Sequence, residues 1–262
     1  MKTESNEKEA KYIDYVVSLG GNCALAKQAH IRELRPCSFP FDYFWLRDEN
    51  DLKKMIKELK ADFANSFKKE NLIELTGDKR GTSKLYQYQD TVSGYNIIHL
   101  FKKPADEYYE EAYSTITRRL NRLKALQYKN KKLCFALTIN FYTSRKNLRE
   151  IAEILLEKYG QNIDIYFILW NSGFDREIKE GNINYIYSAG GFNDYDFNNT
   201  NYIWHFLDKY KLIEQKENQY FCIKQIKKGI QIKILQLINT LFRFRIYIFG
   251  FRLDICIGKP RD

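Results

Sequence analysis

The residues best equipped for chemistry are Cys23, His99 and a set of asparagines at the ends of apolar runs. Cys23 closes the stretch Tyr15-Val-Val-Ser-Leu-Gly-Gly-Asn-Cys23, which reads as a buried strand, a glycine turn and the first residue of a helix. A thiol at a helix start sees unpaired backbone N–H groups and the positive end of the helix dipole, so a lowered pKa and a reactive thiolate are expected. An imidazole that takes the proton and an amide that fixes the imidazole tautomer complete the parts needed for nucleophilic acyl transfer. His99 ends a short strand, and Asn140 and Asn171 follow two longer ones. Asn22 and the helix N-terminal amides would hold the oxyanion. The catalytic set expected is therefore Cys23, His99, Asn22 and Asn140. Gly20 and Gly21 let the backbone approach a substrate, and Asn171 lies at the same rim. A cysteine after a strand also serves as a small buried hydrophobe, and a histidine at a strand end as a satisfied core residue.

Those placements rest on the pattern of elements. Residues 12–19, 133–140, 163–170 and 183–187 are apolar runs of strand length, and residues 148–159 between two of them are amphipathic. Strand, helix, strand with fully apolar strands predicts an α/β fold, mainly a parallel sheet with helices on both faces. Ligands of such sheets bind beyond the carboxyl ends of the strands, which is where Cys23, Asn140 and Asn171 fall. A helix from Cys23 to Leu34 is stopped by Pro36, and a second runs from Asp51 to Leu59. Short strands are expected near residues 72–75, 84–88 and 95–99. After Pro104, Ala112, Ile116, Leu120 and Leu123 mark the apolar face of a long helix, with Arg118, Arg119 and Arg122 assigned to its solvated side. Residues 38–45 are dense in aromatics and read as a packed loop.

Of the formal charge of +10, residues 221–262 hold nine Lys/Arg against two Asp, so the body is nearly balanced and a broad nucleic-acid surface is not expected. Five cysteines without CxxC spacing fit neither a disulfide framework nor a zinc cluster, and Cys37, Cys134, Cys222 and Cys256 read as structural. No metal or cofactor is expected. Residues 1–11 read as a solvated leader, 12–220 as the catalytic domain and 221–262 as a basic C-terminal helix and strand appendage. A cytoplasmic setting is expected.

Ser18-Leu-Gly-Gly-Asn-Cys23, Leu34-Arg-Pro-Cys-Ser-Phe-Pro-Phe-Asp42, Ile98-His-Leu-Phe101 and Thr117-Arg-Arg-Leu-Asn-Arg122 together resemble a bacterial domain family of unknown function described as papain-like cysteine peptidases. The resemblance is strong over residues 12–45 and looser to about 170. It implies Cys23 as nucleophile with His99 as its partner, and makes Ser38 and Asp42 part of a second signature beside the substrate. Two departures stand out. Leu100 occupies the place of an acidic residue in the family pattern, and a strand-first parallel sheet differs from papain's own architecture. The substrate expected is a peptide, an acylated small molecule or an acylated glycan.

A second reading starts from Asp194 and Asp196 in Asn193-Asp-Tyr-Asp196, a spacing that lets two carboxylates hold a divalent ion against a sugar diphosphate. It points to a membrane-surface glycosyltransferase of polysaccharide assembly. Residues Ile223 to Leu241 follow helical spacing with lysines near the start, and beyond Phe242 apolar residues alternate around Gly250. The first part suits a basic amphipathic helix on an anionic membrane surface, the inner membrane face in a bacterium, and the second a hairpin. Packing of both parts on the body is the alternative.

Overall fold

The computed structural model describes residues 10–21, 23–75, 86–128, 130–170, 172–190 and 202–213, together with the backbone of four later strands. The chain divides into two compact units, Met1–Ile213 and Glu214–Asp262.

In the first unit the elements run β1 (Lys11–Ile13), β2 (Tyr15–Ser18), α1 (Cys23–Ile31), β3 (Phe44–Trp45), α2 (Glu49–Lys60), β4 (Leu72–Glu74), β5 (Tyr86–Asp90), β6 (Asn96–Phe101), α3 (Ala105–Ala125), β7 (Leu133–Ile139), α4 (Arg145–Tyr159), β8 (Ile163–Leu169), β9 (Arg176–Glu180), β10 (Ile183–Tyr187) and β11 (Tyr210–Leu212). Five strands form one sheet in the order β2-β7-β8-β10-β9. The pairs β2/β7, β7/β8 and β8/β10 are parallel, and β9 is an antiparallel edge strand. Every residue of β7 is buried, which explains its unbroken apolar run.

Side chains of this sheet alternate between two cores, as a period of two requires. Val17, Phe135, Leu137, Ile165 and Phe167 pack with the apolar faces of α2, α3 and α4. Val16, Cys134, Ala136, Tyr166 and Ile168 pack with Ala24, Leu25 and Ala29 of α1 and with Trp204, Phe206 and Leu207 of a 3-10 turn. A second sheet, ordered β3-β6-β5-β4, is antiparallel throughout. The expectation of a mainly parallel sheet is therefore corrected to a mixed α/β fold with several sheets and, among the described residues, four α-helices. Strands β4, β5 and β6 fall near the short strands expected at 72–75, 84–88 and 95–99, whereas the antiparallel edge strand β9 leaves a weak trace because it is short and polar, with exposed or half-buried side chains.

Local chemistry sets the ends of the helices. The Asp48 side chain accepts from the Asp51 N–H at 2.9 Å and opens α2. Ser144 accepts from the Asn147 N–H at the start of α4, and Gly160, at φ +82°, ends that helix. Asp14 divides what reads as one strand into β1 and β2. Its carboxylate accepts from Lys131 Nζ at 2.8 Å and from the Lys132 N–H at 2.9 Å, β1 pairs with β11, and β2 pairs with β7.

The second unit holds β12 (Ile226–Lys227), β13 (Lys233–Ile238), β14 (Leu241–Ile248) and β15 (Phe251–Gly258) in one antiparallel sheet. The hairpin around Gly250 is present: β14 and β15 pair from Leu241↔Gly258 to Ile248↔Phe251. Where an amphipathic helix is expected upstream, the described residues are extended instead. Residues 226–227 and 233–238 are strands, and the run of β-branched isoleucines explains why the extended conformation wins over the helical spacing.

Candidate functional site

The turn that carries Cys23 is wedged between two sheets. Leu19 N–H donates to the Ala136 carbonyl at 2.8 Å, and Thr138 N–H donates to the Gly20 carbonyl at 3.3 Å, so β2 stays locked to β7 up to the turn. From the other side the Tyr95 hydroxyl donates to the Leu19 carbonyl at 2.6 Å. Gly20 and Gly21 both adopt φ +95°, a backbone region that side chains resist. A Cβ on Gly21 would stand 1.9 Å from the Thr138 carbonyl oxygen, and one on Gly20 2.9 Å from a Tyr95 ring carbon. Only glycine lets the chain turn here between β7 and the aromatic loop, and that turn delivers Cys23 as the first residue of α1.

The Cys23 thiol is half-buried, and burial pushes its pKa above the ordinary value of 9.0. Its own backbone N–H and the Lys27 ammonium pull the other way and are outweighed. The lowered pKa expected from the helix start is thus overturned by desolvation. Asn140 follows directly on β7, the strand beside β2, and is half-buried at the same rim. His99 lies on β6 in the antiparallel sheet, exposed on one side, with the Tyr43 ring against it edge to face at 5.8 Å between centroids. Partial burial lowers the His99 pKa below 6.5, so the ring is neutral at pH 7. No hydrogen bond joins Cys23, His99 or Asn140 to one another among the described residues. Asn22 and Asn171 lie outside the described residues, as do Asp194 and Asp196. The other two histidines stand apart: His30 is exposed in the last turn of α1, and His205 Nδ1 pairs with Asp208 at 2.9 Å.

Ser38 and Asp42 belong to a different cluster. Asp42 is almost wholly buried and is gripped by the fork of Arg35, whose Nε lies 3.0 Å from Oδ2, while the Phe39 N–H donates to the same oxygen at 2.8 Å. Arg35 also donates to the Ser38 hydroxyl at 2.9 Å and lies over the Tyr43 ring. Burial still raises the Asp42 pKa above 3.8 in spite of this pairing. Arg122 donates to the Ser38 carbonyl, and its charge favours the thiolate form of the neighbouring Cys37. Of the three α3 arginines assigned to solvent, Arg118 is exposed, whereas Arg119 and Arg122 are half-buried toward this cluster. The signal is present in the spacing: Arg119 follows Ile116 by three and precedes Leu123 by four, a position on the buried stripe.

A thiol opening a helix at the carboxyl end of a sheet strand, beside a neighbouring strand's asparagine, defines a mixed α/β protein with a candidate thiol site at its sheet rim. A family model for a domain of unknown function, described as "Putative papain-like cysteine peptidase", matches residues 14–173, and the chain belongs to that family. No curated protein matches the chain, and no solved structure does. Nothing in the family match supports the sugar-nucleotide transferase reading. Among the described residues no group of three or more His, Cys, Asp or Glu side chains could hold a metal ion, and no helix is long and apolar enough to cross a membrane.

Proposed function

We propose that the protein is a cysteine-dependent acyl-transfer enzyme acting on peptides, with Cys23 as nucleophile and His99 as its base. Membership of the family carries this reading, because the matched residues 14–173 include the Cys23 turn, the Ser38–Asp42 signature and His99. Its supports are the thiol at the first residue of α1, the glycine turn that fixes it, and an imidazole that is neutral at pH 7.

The electrostatics favour a neutral thiol and a neutral imidazole over a stored ion pair. Catalysis then begins when, with substrate bound, the His99 ring nitrogen takes the Cys23 proton. The thiolate adds to the acyl carbonyl carbon, and the oxyanion is held by backbone N–H groups at the start of α1. As the tetrahedral intermediate collapses, the imidazolium returns the proton to the departing amine and an acyl-thioester remains on Cys23. Water, giving its proton to His99, releases the acid and restores the thiol. In this reading Asn140, at the end of the strand beside β2, orients the imidazole.

The test is hydrolysis of matched peptide, thioester and O-acyl ester substrates by the whole chain and its variants. Cys23→Ala abolishes turnover, and His99→Ala lowers kcat by about 100-fold to 10,000-fold, the usual worth of a general base. Unchanged turnover in Cys23→Ala would remove the proposal.

A further inference from the structure

Helix α3 holds a charge where its neighbours are apolar. Ala112, Ile116 and Leu123 are buried, and Arg119 shares their face of the helix. Its guanidinium is half-buried and donates no hydrogen bond among the described residues. The charges around it are Asp42, Arg35 and Arg118, with the Tyr43 hydroxyl also near. The one carboxylate in this set, Asp42, takes both Arg35 donors and the Phe39 N–H on Oδ2, while its buried Oδ1 accepts no hydrogen bond among the described residues. One turn further along α3, Arg122 reaches Ser38 and Cys37. Arg35 and Arg119 thus face a single carboxylate, with Arg122 beside Cys37 and Ser38 in the same cluster, and the donors of Arg119 are unused among the described residues. Burial together with the repulsion of Arg35 and Arg118 makes the Arg119 charge harder to hold, although Asp42 partly offsets this. A half-desolvated cation with idle donors is costly for the free protein and becomes favourable once an anion of matching shape lies against it.

We propose that Arg119, flanked by Arg35 and Arg122, forms a binding site for an oxyanion group of a ligand, a carboxylate or a phosphate. A guanidinium fork matches either group through two parallel N–H···O bonds. Asp42 acts as the positioning residue, holding Arg35 in place and keeping the three cations from forcing one another apart.

The experiment is calorimetric titration of the full chain with inorganic phosphate and, separately, with succinate, at constant ionic strength. The wild type saturates with at least one of them, and Arg119→Gln weakens that affinity by about 10-fold to 100-fold, as expected for loss of a charged hydrogen-bonding pair. Arg118→Gln, on the exposed neighbour, changes it by less than about twofold. Saturation by phosphate alone assigns a phosphate-bearing ligand, and saturation by succinate a carboxylate. Saturation by neither anion, or equal affinity in Arg119→Gln, overturns the proposal. Should Arg119→Gln fail to fold, phenylglyoxal modification of the wild type gives the same answer: saturating anion slows modification of Arg119 about tenfold and leaves Arg118 unaffected, whereas equal slowing of both overturns it.

Discussion

Replacing Gly21 by alanine should damage this protein far more than the same change at a glycine in open space. Two costs add. The backbone at φ +95° carries a penalty of about 1–2 kcal/mol once a Cβ is present. The new methyl group would also stand 1.9 Å from the Thr138 carbonyl oxygen and 2.2 Å from its Oγ1, so the β7 backbone must retreat by about 1 Å. Overpacking of that kind costs about 1–3 kcal/mol, and the movement strains the Thr138 bonds to the Gly20 carbonyl. The sum is about 2–5 kcal/mol. Gly181 provides the control: it sits at φ +62°, and a methyl group added there would meet nothing within 4 Å, so Gly181→Ala carries only the conformational cost. Guanidinium unfolding of both variants, extrapolated to water, gives the comparison. A Gly21→Ala loss within about 0.5 kcal/mol of the Gly181→Ala loss would refute the claim that the turn is sterically locked against β7.

Three further outcomes follow from particular contacts. Iodoacetamide labelling of Cys23 should be slow at pH 7 and rise with pH above 9, since burial raises the thiol pKa; a plateau reached below pH 8 would contradict that. Burial alone would raise the pKa of Asp62, but its bonds from Lys158 at 2.7 Å and Gln127 at 2.9 Å outweigh this and hold it below 3.8. A carboxylate with a depressed folded pKa contributes stability above its unfolded value and loses it as pH falls through the folded one. Asp62→Asn should therefore cost about 1 kcal/mol at pH 7, with the difference from wild type fading below pH 4 in denaturant titrations. Asp48→Ala, which removes the cap of α2, should cost about 1 kcal/mol by the same measurement and leave the Cys23 turn unaffected.

Much of the architecture is legible because burial writes directly into residue type. β7 and β8 are apolar runs whose two-residue alternation matters little when both faces are covered, and α4 shows its stripe of Leu148, Ile151, Ala152 and Leu155 in the sequence. The glycine turn and its cysteine are equally visible. Hidden parts are those settled by long-range contacts. Arg176-Glu-Ile-Lys-Glu180 has the composition of a solvated loop and becomes β9 only because β10 offers an open edge. Isoleucines 223, 226, 230 and 234 fit a helix by spacing, yet residues 226–227 and 233–238 pair in a sheet. At the site, the residue pattern singles out Cys23 and His99 without showing that Cys23 follows a strand of one sheet while His99 lies on another, since nothing local encodes which sheet β6 joins. Desolvation of Cys23 is equally invisible there, because it depends on what packs over α1 rather than on the helix start. Arg119 and Arg122 have the charge of solvent-facing residues, and the fold turns them toward Asp42 and Cys37.

The central claim is that Cys23 is the nucleophile and needs His99 to act. Reaction of the folded protein with a peptidyl vinyl sulfone, followed by peptide mapping of the adduct, tests it most directly. One adduct is expected, at Cys23, formed at least about 100-fold more slowly in His99→Ala and absent in Cys23→Ser. An adduct that forms first at Cys37, or at Cys23 with the same rate in His99→Ala, would contradict it.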